Sequence, residues 1–128
     1  MNPSARSELI GELEHMQRHG NTLSMLVMTV RNTSNGLIAG ITAGVFSLDY
    51  PRAGWLDFAR ARRFVSFCKQ RGFLTRQEKW GSERVIRAAI GTNAVDAAEA
   101  IDACFCAVYN ESGAFGLELR GFGWQSSQ

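Results

Sequence analysis

Two β-prone runs, each interrupted by turn residues and flanked by helical stretches, constrain this chain more than any other feature. Residues 23–31 (LSMLVMTVR) are apolar on both alternating faces, as a strand in the middle of a sheet requires. Asn32 to Gly36 is a turn cluster ending in Asn35-Gly36, a pair whose tolerance of left-handed backbone makes it a hairpin signal. Leu37 to Tyr50 continues as a β-prone run of fourteen residues. That exceeds a usual strand, so a bulge or a break into two short strands is expected near Gly44. Phe73 to Trp80 and Glu83 to Ile90 flank Gly81-Ser82, which fits a two-residue II′ turn and predicts a second hairpin.

Helical spacing fills the intervals. Asn2-Pro3 offers a cap and a first-turn proline, after which Leu9, Leu13 and Met16 recur on one face of a helix over residues 4–19. Trp55 to Arg71 reads as a second helix, with Phe58, Ala61, Phe64, Val65 and Cys68 as its apolar stripe. Asn93 caps a third, in which Ala94, Ala98, Ile101, Phe105 and Val108 share a face up to Tyr109. Phe115 to Phe122 reads as a last strand, and residues 124–128 as a frayed tail. The order α-β-β(-β)-α-β-β-α-β is rich in hairpins. It predicts an α+β domain over residues 1–128, with a mostly antiparallel sheet and three helices on one face.

Composition narrows the function classes. At 45% apolar and 20% charged, the chain is an ordinary globular one. It contains no apolar run of the roughly 18 residues that a membrane span needs. Met1 to Glu14 carries one Arg and three Glu without an apolar stretch, so no secretory signal is expected. Three cysteines are too few for a disulfide framework and are read as reduced thiols of a cytoplasmic protein. Cys68 and Cys104 are expected to pack as small apolar residues, Cys68 becoming reactive only if exposed beside Lys69 and Arg71.

Motifs for chemistry are scarce. The chain has no phosphate-cradling glycine loop and no Gly-x-Ser-x-Gly nucleophile turn. Its two histidines, His15 and His19, follow Glu12 at spacings of three and four, which places one carboxylate and two imidazoles on one helical face. That is the candidate metal set, although histidines near a helix C-terminus also suit a solvated face. Asp96, Glu99 and Asp102 line the third helix in the same way, as a solvated or capping set. These absences argue against the common motif-bearing enzymes, not against all enzymes. The reading is a binding or adaptor protein without cofactor, with a small enzyme of unrecognised site, Glu12, His15 and His19 its candidate, as an alternative.

Charge is the informative pattern. Residues 1–51 sum to −1, residues 52–87 to +7 and residues 88–128 to −4, and twelve of the fourteen cations are arginine. Arginine pairs bidentately with carboxylate or phosphate and stacks on aromatic faces. Arg60 and Arg63 on the second helix, with Arg76, Trp80 and Arg84 on the hairpin, form the candidate partner surface; Trp55 and Trp124 also stand at element ends. Three uses compete: an acidic or extended protein segment, a nucleic acid, and internal balance against the acidic third helix. A pI of 8.6 favours the first and third over nucleic acid. Reversal of Arg60 and Arg63 to Glu is expected to weaken partner binding and to leave the melting temperature unchanged.

From Ser4 to Tyr109 the order helix, strand group, middle helix, hairpin and further helix resembles the small secretion-chaperone fold of class I type III secretion chaperones and YbjN-type proteins. The resemblance implies a bacterial, chaperone-like homodimer that holds an extended partner peptide. It makes Phe58, Phe64, Phe67 and Leu74, with Trp80, the candidates for dimer or peptide contact. The chain departs from that family in lacking strongly acidic character and in adding a strand at Phe115 to Phe122.

Overall fold

Asparagines set two of the helix starts. In the computed structural model, which describes residues 1–52, 57–81 and 83–123 and not the side chain of Trp80, Asn2 Oδ1 accepts from the Ala5 N–H at 2.7 Å. Pro3 then opens α1 (Pro3–His19), where its missing N–H is not needed. Asn93 starts α3 (Ala94–Tyr109) in the same way, accepting from the Asp96 N–H at 3.0 Å, and Asn110 ends that helix in left-handed backbone. Before α2 (Phe58–Gln70) the Asp57 carboxylate makes no capping bond; it accepts from the Tyr50 hydroxyl instead.

The strands are β1 (Met25–Val30), β2 (Gly36–Thr42), β3 (Val45–Arg52), β4 (Thr75–Trp80), β5 (Glu83–Gly91) and β6 (Leu117–Phe122). They form one sheet in the order β4-β5-β3-β2-β1-β6, antiparallel at every junction. The long β-prone run breaks where expected: Ala43 and Gly44, with φ of 50° and 80°, make a two-residue turn that pairs Thr42 with Val45. Left-handed backbone costs a residue with a Cβ about 1–2 kcal/mol, and Asn tolerates it better than Ala. Ala43→Asn is accordingly expected to raise stability by about 0.5–1 kcal/mol in chemical denaturation. The second hairpin closes with Trp80 paired to Glu83 across Gly81. Ser82, Trp55, Trp124 and the tail from 124 to 128 lie outside the described residues.

Alternation along the strands assigns the two sheet faces. Leu26 and Met28, Leu37 and Ala39, Phe46 and Leu48, and Ile86 and Ala88 point to the helix side and are all buried. There α3 lies between α1 and α2, its Ile101, Cys104 and Phe105 packed in a single core with Leu9, Leu13 and Met16 of α1. The α2 face differs from the expected stripe. Ala61, Phe64, Phe67 and Cys68 are buried, whereas Phe58 is 55% and Val65 39% exposed. The apolar residues of this helix cover more than one stripe, and packing against α3 selects the one that carries Phe67. Phe64 and Phe67 are thus core residues, a correction to their reading as dimer or peptide contacts. Among the described residues, no helix is long and apolar enough to cross a membrane.

Candidate partner-binding groove

The second apolar edge of α2 is not wasted on solvent alone. Phe58 and Val65, with Arg62, Ser66 and Lys69, recur at helical spacing along the flank that faces the β4–β5 hairpin. A groove of about 390 Å³ runs between them and the strands, with Ala61 and Ile86 on its floor and Gln77 on its far wall. Arg52 closes one end, its guanidinium 5.1 Å from the centre of the Phe58 ring. The Arg52 Nε is buried and has no hydrogen-bond partner.

The sheet register supplies the electrostatics. Arg52 is paired with Arg84, and Arg84 in turn with Lys79, so three cations stand abreast on β3, β5 and β4. All three lie on the helix side, as their alternation with Ile86 and Gln77 shows. Like charges directly opposite one another destabilise a strand pair. Among the described residues none of Arg52, Arg62, Lys69, Lys79 and Arg84 forms an ion pair. The groove therefore presents apolar surface inside a rim of uncompensated positive charge. Beside it β4 is an edge strand with one unpaired side, and most of its residues are exposed.

The five cationic and aromatic residues singled out in the sequence do not share one surface. Arg84 belongs to the row beside the groove. Arg60 and Arg63 lie on the opposite flank of α2: Arg60 stacks 5.1 Å over the Tyr109 ring, and Arg63 donates to the Val108 carbonyl at 3.3 Å. That carbonyl is in the last turn of α3, where a cation meets the negative helix end favourably. Charge reversal of Arg63 is thus expected to lower stability as well as any binding. Arg76 points to the other face of the sheet and pairs with Glu78 at 2.7 Å. Trp80 ends β4, and its side chain lies outside the described residues. Of the expected contact residues, Phe58 lines the groove and Leu74, 88% exposed, stands just before β4. The residues that sequence reasoning passed over are Arg52, Arg62, Val65, Lys69, Gln77 and Lys79; the spacing of 58, 62, 65 and 69 was the available signal.

Internal balance accounts for part of the basic segment. Arg71 grips Glu99 of α3 bidentately at 2.7 and 3.1 Å, which raises the Arg71 pKa and lowers that of Glu99 through the same hydrogen bonds. Asp102 takes Arg6 of α1.

Elsewhere the titratable groups are held for structure. Among the described residues no three His, Cys, Asp or Glu side chains, Glu12, His15 and His19 included, are placed together to hold an ion. The His15 and His19 rings pack on each other, 4.6 Å between centroids. Cys68 and Cys104 are buried and Cys106 is exposed; burial pushes the Cys68 thiol up to about 11 and raises that of Cys104, so neither is a thiolate at neutral pH. A cleft of about 520 Å³ at the end of the sheet is lined by Tyr50, Asp57, Arg60 and Tyr109. Its phenols are raised mainly by burial and donate to Asp57 and to the Gly36 carbonyl, which leaves neither free to act as an acid. Comparison of the chain with protein-family models, curated proteins and solved structures finds no match to any of them.

Proposed function

We propose that this chain is a non-enzymatic binding module that captures an acidic, extended segment of a protein partner along the α2–β4 groove. The observation that carries this reading is the row Arg52–Arg84–Lys79, three adjacent cations without acidic partners at one end of an apolar groove. A carboxylate-bearing segment relieves their mutual repulsion and buries Phe58 and Val65. The unpaired side of β4 offers its backbone to the same segment by strand addition. The reading is chaperone-like in that an extended peptide is held outside a folded domain, and it calls for no cofactor. A cytoplasmic setting suits the three free thiols. Among the described residues Phe58 is the one aromatic lining the groove, less than the stacking series on which single-stranded nucleic acids are held.

The test is fluorescence anisotropy with three probes: a peptide of about ten residues alternating Glu and Val, its Gln-for-Glu counterpart, and single-stranded oligo(dT). The acidic peptide is expected to bind at least about tenfold more tightly than the neutral one. Arg62→Glu with Lys69→Glu should weaken it by about tenfold or more and leave the melting temperature within about 2 °C, since both side chains are exposed and unpaired. Tighter binding of the oligonucleotide, with an affinity that falls steeply with salt, would transfer the groove to nucleic acid. Equal affinity for the acidic and neutral peptides would remove the electrostatic basis of the proposal.

A further inference from the structure

The three helices all pack on one side of the sheet, and the composition of the other side is not that of a solvated face. An antiparallel sheet with one wet face alternates polar outward residues with apolar inward ones. Here the outward positions of the four inner strands include Met25, Val27, Ile38 and Val45, all half-buried, and the buried Val85. Asp49 and Arg87 stand near the middle of that face, joined in a bidentate pair at 2.8 and 2.9 Å, and Glu83 stands at the start of β5. The two edge strands carry the rest: Arg76 and Glu78, paired with each other, on β4, and Glu118 and Arg120 on β6. An apolar centre with a polar rim is the anatomy of a protein interface.

We propose that this face is the interface of a homodimer, in which a second copy of the chain packs its own outward face against it. Three features select a second copy as the occupant. The first is charge. Register places Arg120, Val27, Ile38, Asp49, Arg87 and Arg76 in one row across the sheet. The neighbouring outward row runs from Glu118 through Thr29, Gly36, Pro51 and Val85 to Glu78. Each edge strand thus carries a base in one row and an acid in the next. A two-fold axis lying across the strands, midway between these rows, sets Arg120 against the partner's Glu118 and Arg76 against the partner's Glu78. The pattern is self-complementary, as an isologous contact requires.

The second feature is shape. The same axis seats Ile38 over the partner's Gly36, a knob against a position without a side chain. The third is area. Six strands at about 4.8 Å spacing and about six residues at 3.4 Å rise give a face of roughly 29 by 20 Å. Once side-chain relief is included, that is of the order of the 800 Å² per partner of a standard interface. The groove between α2 and β4 is on the other side of the sheet, so this inference does not rest on it, and a dimer so built carries two grooves on its outer surfaces.

The experiment is sedimentation velocity on the full chain between about 1 and 100 μM, with the variant Val27→Glu/Ile38→Lys beside it. The two substitutions stand directly opposite on β1 and β2 and pair within one copy, which spares the fold; a dimer must bury both charges. The natural chain is expected to sediment as a dimer, and the variant as a monomer, with dissociation at least about 100-fold easier. Should that variant fail to fold, the exposed edge decides instead. Arg120→Glu weakens the dimer by facing the partner's Glu118, and Glu118→Arg with Arg120→Glu restores it, because exchange of the two charges preserves the complementarity. A monomer at 100 μM, or a dimer indifferent to both sets of variants, would overturn the assignment.

Discussion

Phe64→Ala is expected to destabilise the protein by about 3–5 kcal/mol, the range for removal of a fully buried aromatic side chain. Phe64 is fully buried, and its ring stacks on Tyr50 with centroids 5.6 Å apart. Tyr50 is itself 1% exposed, so the walls of the resulting hole are held by other core groups and collapse only in part. Against the 5–15 kcal/mol that holds most domains together, the loss is large; for a chain of this length it lowers the melting temperature by about 10–20 °C. Phe58→Ala is the matched control on the same helix. Phe58 is 55% exposed, so its loss should move the melting temperature by only a few degrees while weakening the acidic peptide. Circular dichroism melts of the two variants separate the core side of α2 from its groove side. A Phe64→Ala protein that melts with the natural chain would return Phe64 to the contact surface.

The contrast between these two phenylalanines shows where the sequence is informative and where it is not. Element order is legible because its determinants are local: Asn2-Pro3, Asn93 and the Ala43-Gly44 turn each act through their own backbone within a few residues. The rotation of α2 is not local. Phe58, Ala61, Phe64, Val65, Phe67 and Cys68 allow two apolar stripes, and the choice between them is made by α3, whose buried face arrives some thirty residues later in the chain. Charge behaves in the same way. The excess of cations over residues 52–87 is plain in the sequence, yet strand alternation sends Arg84 to the helix side and Arg76 to the outward face, and Arg71 is consumed by Glu99. A row such as Arg52–Arg84–Lys79 exists only once β3, β5 and β4 are in register, and nothing in the linear spacing announces it. Asp49 gave one hint, a lone acid inside an apolar run, with its partner 38 residues away.

That acid carries the other large effect. Asp49→Ala is expected to cost about 3 kcal/mol, because it removes the bidentate partner of a largely buried guanidinium and not because the ion pair is itself strongly stabilising. Asp49 is fully buried and the Arg87 side chain 17% exposed. Burial raises the Asp49 carboxyl, and the Arg87 hydrogen bonds oppose that shift. Glu78 holds Arg87 by a single contact at 3.2 Å, which compensates only part of the loss. Glycine at position 40 belongs to the same arrangement: a Cβ there would stand 2.7 Å from Ser47 Oγ and 3.8 Å from the Arg87 guanidinium. The pair is costly to break and simple to replace. Asp49→Leu with Arg87→Met removes both desolvated charges at similar volume and should recover most of the stability lost by Asp49→Ala. It also removes both charges from the centre of the outward face, so in sedimentation the double variant should dimerise at least as tightly as the natural chain. Urea denaturation of the single and double variants gives the coupling directly. If Asp49→Ala loses less than about 1 kcal/mol, the carboxylate is not what holds Arg87 over the sheet.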